Sequence, residues 1–458
     1  MDAPAPPRPA SAGEPLTIRP PPGEWPALLA AAWGADPAAI ARRERFRSQL
    51  GLPDGPIIMS GHQPEFWHPG ILAKYLAADA AAARLGARAA WLVVDQGRPV
   101  SVEVRYPARA DGRLVARSLV LTRDVHPPLP ADAAAPFVRE GLARILGAMD
   151  ERRAEPDLAR RTAGALGALI APLVRAPAPT LFATELSRTD LFSDLARRMA
   201  SDPEACARAY NEAAAAHPGA GLRALIADEV QDRWELPLWR LAPGAPRERV
   251  YAEMLPDTPP DQLAPRALFT TALLRLAGCV LFIHGTGGGG ADEVHEGYDA
   301  AMEDWLGRWL GIPPASLAPR AVVTATRTLP LEAGPTVTPS EAATAAWRAH
   351  SARHDPGLLG DGPAAARKRG LVAAIAASPD RRARESLYRE MHAGLEAYRA
   401  ARGRDLGSLA ESAAEASARL ADTAILTDRT WPFPLYPPGA IARLRDEIEA
   451  EFARGARS

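Results

Sequence analysis

The sequence predicts an α/β protein: a Rossmann-like core built on a parallel sheet with helices on both faces, extended by a long Ala/Arg/Glu-rich, coiled-coil-like helical arm. Three observations predict it. A short apolar run, 56-PIIMS-60, is followed by 70-GILAKYLAADAAAARLG-86, where apolar residues recur at helical spacing, and then by the partly β-branched 89-AAWLVVD-95. Strand, helix and strand in that order form a unit whose crossover favours parallel pairing. The alternation returns at 180-TLFATELS-187 with 188-RTDLFSDLARRMA-200, and at 278-GCVLFIHG-285 with 292-DEVHEGYDAAMEDWLGRWLG-311 and 319-PRAVVTATRTLPL-331. From about 340 to 425 the chain instead becomes rich in Ala, Arg and Glu, the composition of long helices.

The elements follow in chain order. Residues 1–16 are Pro- and Ala-rich and poor in large apolar side chains, which predicts disorder. Residues 17–335 form the predicted core domain. Within it, GEWPALLAAAWG and PAAIARRERFRSQL read as helices, the helix from 70 stops at Gly86, and the run ending at Asp95 reads as a strand covered on both faces. The stretches 231-QDRWELPLWRL-241 and 249-RVYAEM-254 read as shorter strands at a sheet edge. Residues 336–425 are the predicted arm, with long helical stretches at 381–402 and 408–425. Residues 426–458, with an aromatic-proline segment and a terminal helix, are expected to return to the core.

Composition narrows the function. The 458 residues can bury a sizeable interior, and a net charge of -1 favours neither a nucleic acid nor an anionic membrane as partner. No run approaches the roughly 18 apolar residues a spanning helix needs, and the start lacks the apolar segment of a signal peptide, so a soluble cytoplasmic protein is expected. The two cysteines, Cys206 and Cys279, lie far apart in apolar settings; this fits a reducing compartment and excludes a disulfide framework or a CxxC metal site. Nearly every basic residue is Arg, with Lys74 and Lys368 the only lysines, which draws attention to Lys74.

In open parallel sheets ligands bind beyond the carboxyl ends of the strands. That rule selects the loops Ser60 to Gly70, Asp95 to Arg98, Glu185 to Asp190 and His284 to Glu293. In the first, Gly61 permits close backbone approach, and the helix after it would present N-terminal amides to an anion. His62 is a candidate general base or hydrogen-bond donor, Glu65 a base or orienting partner, and Gln63 a substrate ligand, while Phe66, Trp67 and Pro69 shape the turn. The plainer alternative has these histidines, His68 included, satisfying backbone groups. Lys74, one turn into the helix, would neutralise an anion, or else stand in solvent. Asp95 and Gln96 end a buried strand, where a lone carboxylate calls for a ligand or cation.

The run 284-HGTGGGGADE-293 matches G-x-G-x-x-G through Gly285, Gly287 and Gly290, but the next strand, AVVTATRTL, lacks the acidic residue a dinucleotide ribose requires, so NAD is not predicted. What remains is a loop whose amides, at Gly285, Gly287, Gly288 and Gly290, would hold a phosphate or carboxylate, with His284 and Asp292 as substrate ligands. The alternatives are a Gly run on the surface and a helix-capping role for Asp292 or Glu293. Motifs of zinc proteases, P-loop proteins, serine hydrolases and zinc clusters are absent, and no metal site is predicted.

The stretch GHQPEFWHPGILAKYLAADAAAARLGARAAWLVVDQ resembles the start of the bacillithiol biosynthesis cysteine-adding enzymes, where a Gly-Gln-Gln loop and a Tyr-Lys-containing helix lead into a strand with an acidic, His-containing end. The Gly-rich loop, its helix and the Pro-Arg-containing strand at 319–331 resemble the same family. Here His62 replaces the first glutamine, and Asp95-Gln96-Gly97-Arg98 lacks the histidine. The resemblance implies a Rossmann-like core, dimerisation through the arm, and ligation of cysteine to an amino-sugar conjugate in low-molecular-weight thiol biosynthesis. ATP or another nucleotide would activate the carboxyl, with His62 or Asp95 accepting the amine proton. The His-Gln-Pro tripeptide is also similar to sugar-biosynthesis proteins of the WbqC type, and the alternative to a ligase is a non-catalytic nucleotide- or sugar-binding protein.

Overall fold

The computed structural model describes residues 16–33, 37–124, 127–228, 233–243, 245–286, 297–332 and 334–455. The described residues open with strand β1 (Leu16–Arg19), helices α1 (Trp25–Trp33) and α2 (Pro37–Gln49), then β2 (Ile57–His62), α3 (Pro69–Leu85) and β3 (Arg88–Val93). A long hairpin, β4 (Ser101–Ala110) and β5 (Arg113–Thr122), leads to α4 (Pro136–Glu151), α5 (Leu158–Ile170), β6 (Thr180–Phe182), α6 (Asp190–Ser201) and α7 (Pro203–Ala216). There follow β7 (Ala227–Asp228), β8 (Arg233–Arg240), β9 (Glu248–Tyr251), β10 (Leu263–Pro265), α8 (Ala267–Leu273), β11 (Leu281–His284), α9 (Tyr298–Leu310) and β12 (Arg320–Ala325). Four long helices, α10 (Pro339–Ala352), α11 (Gly362–Ala377), α12 (Arg381–Ala401) and α13 (Gly403–Thr427), precede the terminal α14 (Pro438–Gly455).

The architecture is mixed α/β. The main sheet has the order β1-β12-β11-β2-β3-β6. Its strands pair in parallel except β1, which adds antiparallel to β12 from Leu16↔Ala325 to Arg19↔Val322. Residues 1–15 of the segment expected to be disordered lie outside the described residues, and Leu16 already belongs to this edge strand. Helix α3 explains why the centre of the sheet is so tightly covered. Its alanines keep it thin, and it packs on β2, β3, β12 and α14 with its first ten residues all buried. Gly86 ends it in the left-handed conformation at φ 64°, as its position in the sequence predicts.

One expectation is corrected. The strands read at 231–241 and 249–254 do not join the main sheet; β8 and β9 form a separate antiparallel sheet with β10 and β7. One edge of the main sheet is taken by β1. The other, β6, is three residues long before it turns into a 3-10 segment at Ala183–Arg188, too short to receive them. The chain divides into one unit of residues 1–106, 118–328 and 429–458, and another of 107–117 and 329–428, so the tip of the β4–β5 hairpin belongs with the long helices. There Arg113 pairs with Glu415 and Asp422, and the Leu114 amide donates to Asp422 at 2.9 Å.

The first unit holds a large core in which Phe192, Phe269 and Trp305 meet. In the second unit α10 packs on α13 and α11 on α12, around a small cluster of Ala352, Tyr398 and Leu406. No helix among the described residues is long and apolar enough to cross a membrane.

Candidate functional site

Strands β2, β3, β11 and β12 run parallel; the first three end within a residue of one another, at His62, Val93 and His284, and β12 runs three residues further to Ala325. Beyond those ends lies a cavity of about 400 Å³, lined by His62, Lys74, His284, Tyr298 and Thr324 among others. Glycines set its walls. A Cβ on Gly61 would stand 2.7 Å from Leu92 Cβ and 2.8 Å from Leu92 O, so only glycine lets β2 meet β3 at this level. A Cβ on Gly70 would meet Ala325 O and Thr324 Oγ1 at 2.9 Å, so the start of α3 can sit against the end of β12.

Lys74 points from α3 into this cavity. Solvation is excluded as its role: the residue is 5% exposed. Its Nζ donates to Gly61 O at 2.7 Å and lies 5.5 Å from the Trp91 ring centre. Burial lowers its pKa to about 7, because a carbonyl and a ring face replace bulk water around the charge. The amine is therefore poised between its charged and neutral forms near neutrality.

His62 closes β2. Its pKa falls to about 3, first through burial and then through the charges of Lys74 and His68, so the ring is neutral at physiological pH. Its Nδ1 is 3.2 Å from Glu65 Oε1 without the alignment of a hydrogen bond. Glu65, whose carboxyl is raised by burial, and Gln63 line a neighbouring cavity of about 480 Å³, and Gln63 lines the Lys74 cavity as well. His68 is a cap: its Nδ1 accepts from the Gly70 amide at 3.0 Å. Its carbonyl accepts from Ile71 and Leu72. With Pro69 lacking an N–H, the first-turn amides of α3 are spoken for, and the expectation that they face an anion is overturned.

His284 closes β11 on the far side of the same cavity. Its Nε2 lies 2.9 Å from Oδ2 of Asp299, a fully buried carboxylate in the first turn of α9. Burial opposes the charge of Asp299, but His284, Arg275 and Arg320 together outweigh it and hold the carboxyl below the usual range. Beside it the Tyr298 hydroxyl, near Thr271 but with no aligned hydrogen-bond partner among the described residues, is raised well above its ordinary pKa by burial. Asp299 and Tyr298 are not among the residues the sequence suggests. The legible signal is Asp299 on the same helical face as Met302, Trp305 and Leu306, all buried, where a carboxylate is costly without a partner.

The sequence places Asp95 and Gln96 at this site, and the structure places them elsewhere. Both oxygens of Asp95 are taken by Thr184, from its amide at 2.9 Å and its hydroxyl at 2.6 Å, which ties the end of β3 to the turn after β6. Asp95 lines a separate cavity of about 320 Å³ with Arg98, Arg160 and Arg188. Its carboxyl is raised by burial, against the lowering effect of the Thr184 bonds and Arg160. Gln96 Nε2 donates to Pro265 O and Thr270 Oγ1, at 3.0 and 3.1 Å, locking β3 to β10 and α8 instead of facing a ligand. Gly285 lines the Lys74 cavity, whereas Gly287, Gly288, Gly290 and Asp292 lie outside the described residues.

Among the described residues no group of His, Cys, Asp and Glu could hold a metal ion. Cys206 and Cys279 are buried thiols whose pKa is pushed up by burial, so neither is a nucleophile. Chemically, the cavity offers an amine that gains from a counter-anion, a neutral imidazole, and a second imidazole backed by a carboxylate. No family model matches this sequence, and no curated protein matches it.

Proposed function

We propose that this chain is an enzyme of small-molecule metabolism that joins a carboxyl group to an amine, with the Lys74 cavity receiving the anionic group of the substrate or of an activating nucleotide. The observation that carries the reading is Lys74, a buried amine hydrogen-bonded to one backbone carbonyl, at the carboxyl edge of four parallel strands and beside two imidazoles. A phosphate or carboxylate entering the cavity supplies the counter-charge that burial removes, so Lys74 binds it as the ammonium. The proton shed by the amine needs an acceptor at the same edge, and the His284 imidazole is there.

A carboxylate does not form an amide unaided; ATP or another nucleotide supplies that activation when bound. A cavity holding a cation and buried polar atoms without aligned partners suits its phosphates. The specific form, cysteine joined to an amino-sugar conjugate in a cytoplasmic thiol pathway, follows the resemblance of residues 61–96 to the cysteine-adding enzymes. A Rossmann-like core and pairing of two copies through a coiled-coil-like α10–α13 arm belong to the same proposal. His62 is where this chain departs most from that pattern, since a neutral imidazole stands in place of an amide.

One observation favours a second reading, a non-catalytic nucleotide- or sugar-binding protein akin to the WbqC type: Asp95, a residue expected to accept the proton, has both oxygens engaged by Thr184. Incubation of the purified protein with ATP, cysteine and amino-sugar acceptors, followed by mass spectrometry, separates the two. Product formed by the wild type and lost in Lys74→Met supports the ligase. Undiminished product in Lys74→Met sinks the site, and tight ATP binding without product from any acceptor gives the binding protein.

A further inference from the structure

We propose that His284 carries the proton in the Lys74 cavity and that Asp299 is its positioning residue. The proposal rests on the reading of that cavity as the substrate site. Strand β11 delivers the His284 ring to the cavity, where it packs on Phe282 with ring centres 4.5 Å apart. Behind it, Asp299 is fixed from two sides. Its Oδ1 receives Arg275 Nη1 at 3.1 Å, and its Oδ2 faces His284 Nε2 at 2.9 Å. Arg275 is itself held, by Ala318 O at 2.8 Å and by Glu303 at 2.7 Å, so the carboxylate cannot turn away.

An arginine alone would compensate a buried aspartate. Here the second carboxylate oxygen lies 2.9 Å from an imidazole that borders an open cavity, short of ideal alignment but within the reach at which a carboxylate fixes a histidine's tautomer. With the proton on Nε2, Nδ1 is the accepting atom. In the step, the N–H bond of a bound amine breaks, an Nδ1–H bond forms, and the resulting imidazolium is paired with Asp299; nothing is oxidised or reduced. His62 lacks this support. Its nearest carboxylate, Glu65, is half exposed and stands 3.2 Å away, and the charges of Lys74 and His68 oppose protonation, which leaves it the role of a neutral hydrogen-bonding group.

Asp299→Asn gives a sharp test. Arg275 only donates, so the amide oxygen must face Arg275 and the amide NH2 must face His284. The ring then has to accept at Nε2 and carry its proton on Nδ1. Nitrogen NMR of the full chain labelled in histidine, with His284→Gln to assign the signal, is expected to show the Nε2–H form in the wild type and the Nδ1–H form in Asp299→Asn. Pyrophosphate, the probe for the cavity, is expected to move the His284 signals and to bind both proteins within about twofold. In the condensation assay kcat of Asp299→Asn falls about 100-fold or more with KM little changed. An Nδ1–H wild type, an unchanged tautomer in Asp299→Asn, or pyrophosphate binding that leaves His284 signals in place overturns the proposal. If pyrophosphate binds neither protein, the substrate-site reading fails and the proton-carrying role with it, whereas the tautomer result still reports on the His284–Asp299 pair.

Discussion

Replacing Lys74 by methionine exchanges a buried amine for an apolar chain of similar length, and the consequence for stability depends on pH. In the folded protein Lys74 gives up its proton near pH 7, whereas in the unfolded chain it holds it to about 10.5. Between those values the unfolded state binds more protons, so this residue makes stability rise with pH. Below pH 7 both states are charged and the full cost of burying the ammonium is present, about 5 kcal/mol for a pKa displaced this far. Above 10.5 both are neutral and that cost is gone. Methionine removes it, but leaves Gly61 O without its partner, a loss of about 1–3 kcal/mol. Lys74→Met is therefore expected to be about 2–4 kcal/mol more stable than wild type at pH 6, with the advantage vanishing or reversing near pH 10. Urea denaturation at both pH values measures it. A variant less stable at pH 6, or a difference that does not change with pH, refutes the reasoning. His62, His68, His284 and Tyr298 are the other titratable groups lining the cavity, and His62 stays neutral across this range. Pyrophosphate should raise the melting temperature of the wild type and not that of the variant.

Three further outcomes follow from the geometry. His62 resists protonation until about pH 3 in the folded state while the unfolded ring takes a proton near 6.5, so acid costs stability through this window; His62→Gln should flatten the fall of the urea midpoint between pH 6.5 and 3.5. Gly61→Ala should destabilise by about 1–3 kcal/mol, because its Cβ meets the Leu92 backbone oxygen as well as its side chain and neither can retreat without parting β2 from β3; chemical denaturation reads this directly. Asp95→Asn should lose about 1–2 kcal/mol, since an amide cannot accept both Thr184 bonds, yet leave pyrophosphate affinity unchanged in calorimetry.

The parallel core was legible because its signals are local and strong. An apolar run of a few residues ending in glycine, an Ala-rich helix stopped by Gly86, and a second apolar run can pair in few ways, and β2, α3 and β3 lie within two or three residues of where the pattern puts them. The strands that escaped are set by tertiary circumstance. Leu16–Arg19 has no alternation long enough to mark it, and becomes a strand only because β12 offers an edge. The hairpin β4–β5 is the exception: Val102, Val104 and Tyr106 alternate with the outward Glu103 and Arg105, the period of a half-buried strand, so its signal is in the sequence. Strand β8 reads as sheet-forming from its tryptophans, but which sheet it joins is decided by Glu235. That carboxylate is fully buried among Arg223, Arg249 and Arg266, far from anything its own segment reveals.

The same distinction between local and distant causes sorts the site. His62 and His284 could be found because each closes a strand, and the topology of a parallel sheet alone brings such positions to one edge; Lys74 could be found because it is one of two lysines in the chain, one turn into the helix that follows. Asp95 and Gln96 satisfy the identical rule and do something else. Whether a polar side chain at a strand end faces a ligand or the protein depends on whether a neighbouring turn needs it, and here Thr184 and Pro265 do. Asp299 shows the converse: it is fifteen residues past the strand it serves, on a helix face otherwise apolar, and its meaning appears only when β11 places His284 against it. A buried carboxylate with a guanidinium on one oxygen and an imidazole 2.9 Å from the other is thus the feature of this edge that the strand-end rule by itself could not supply.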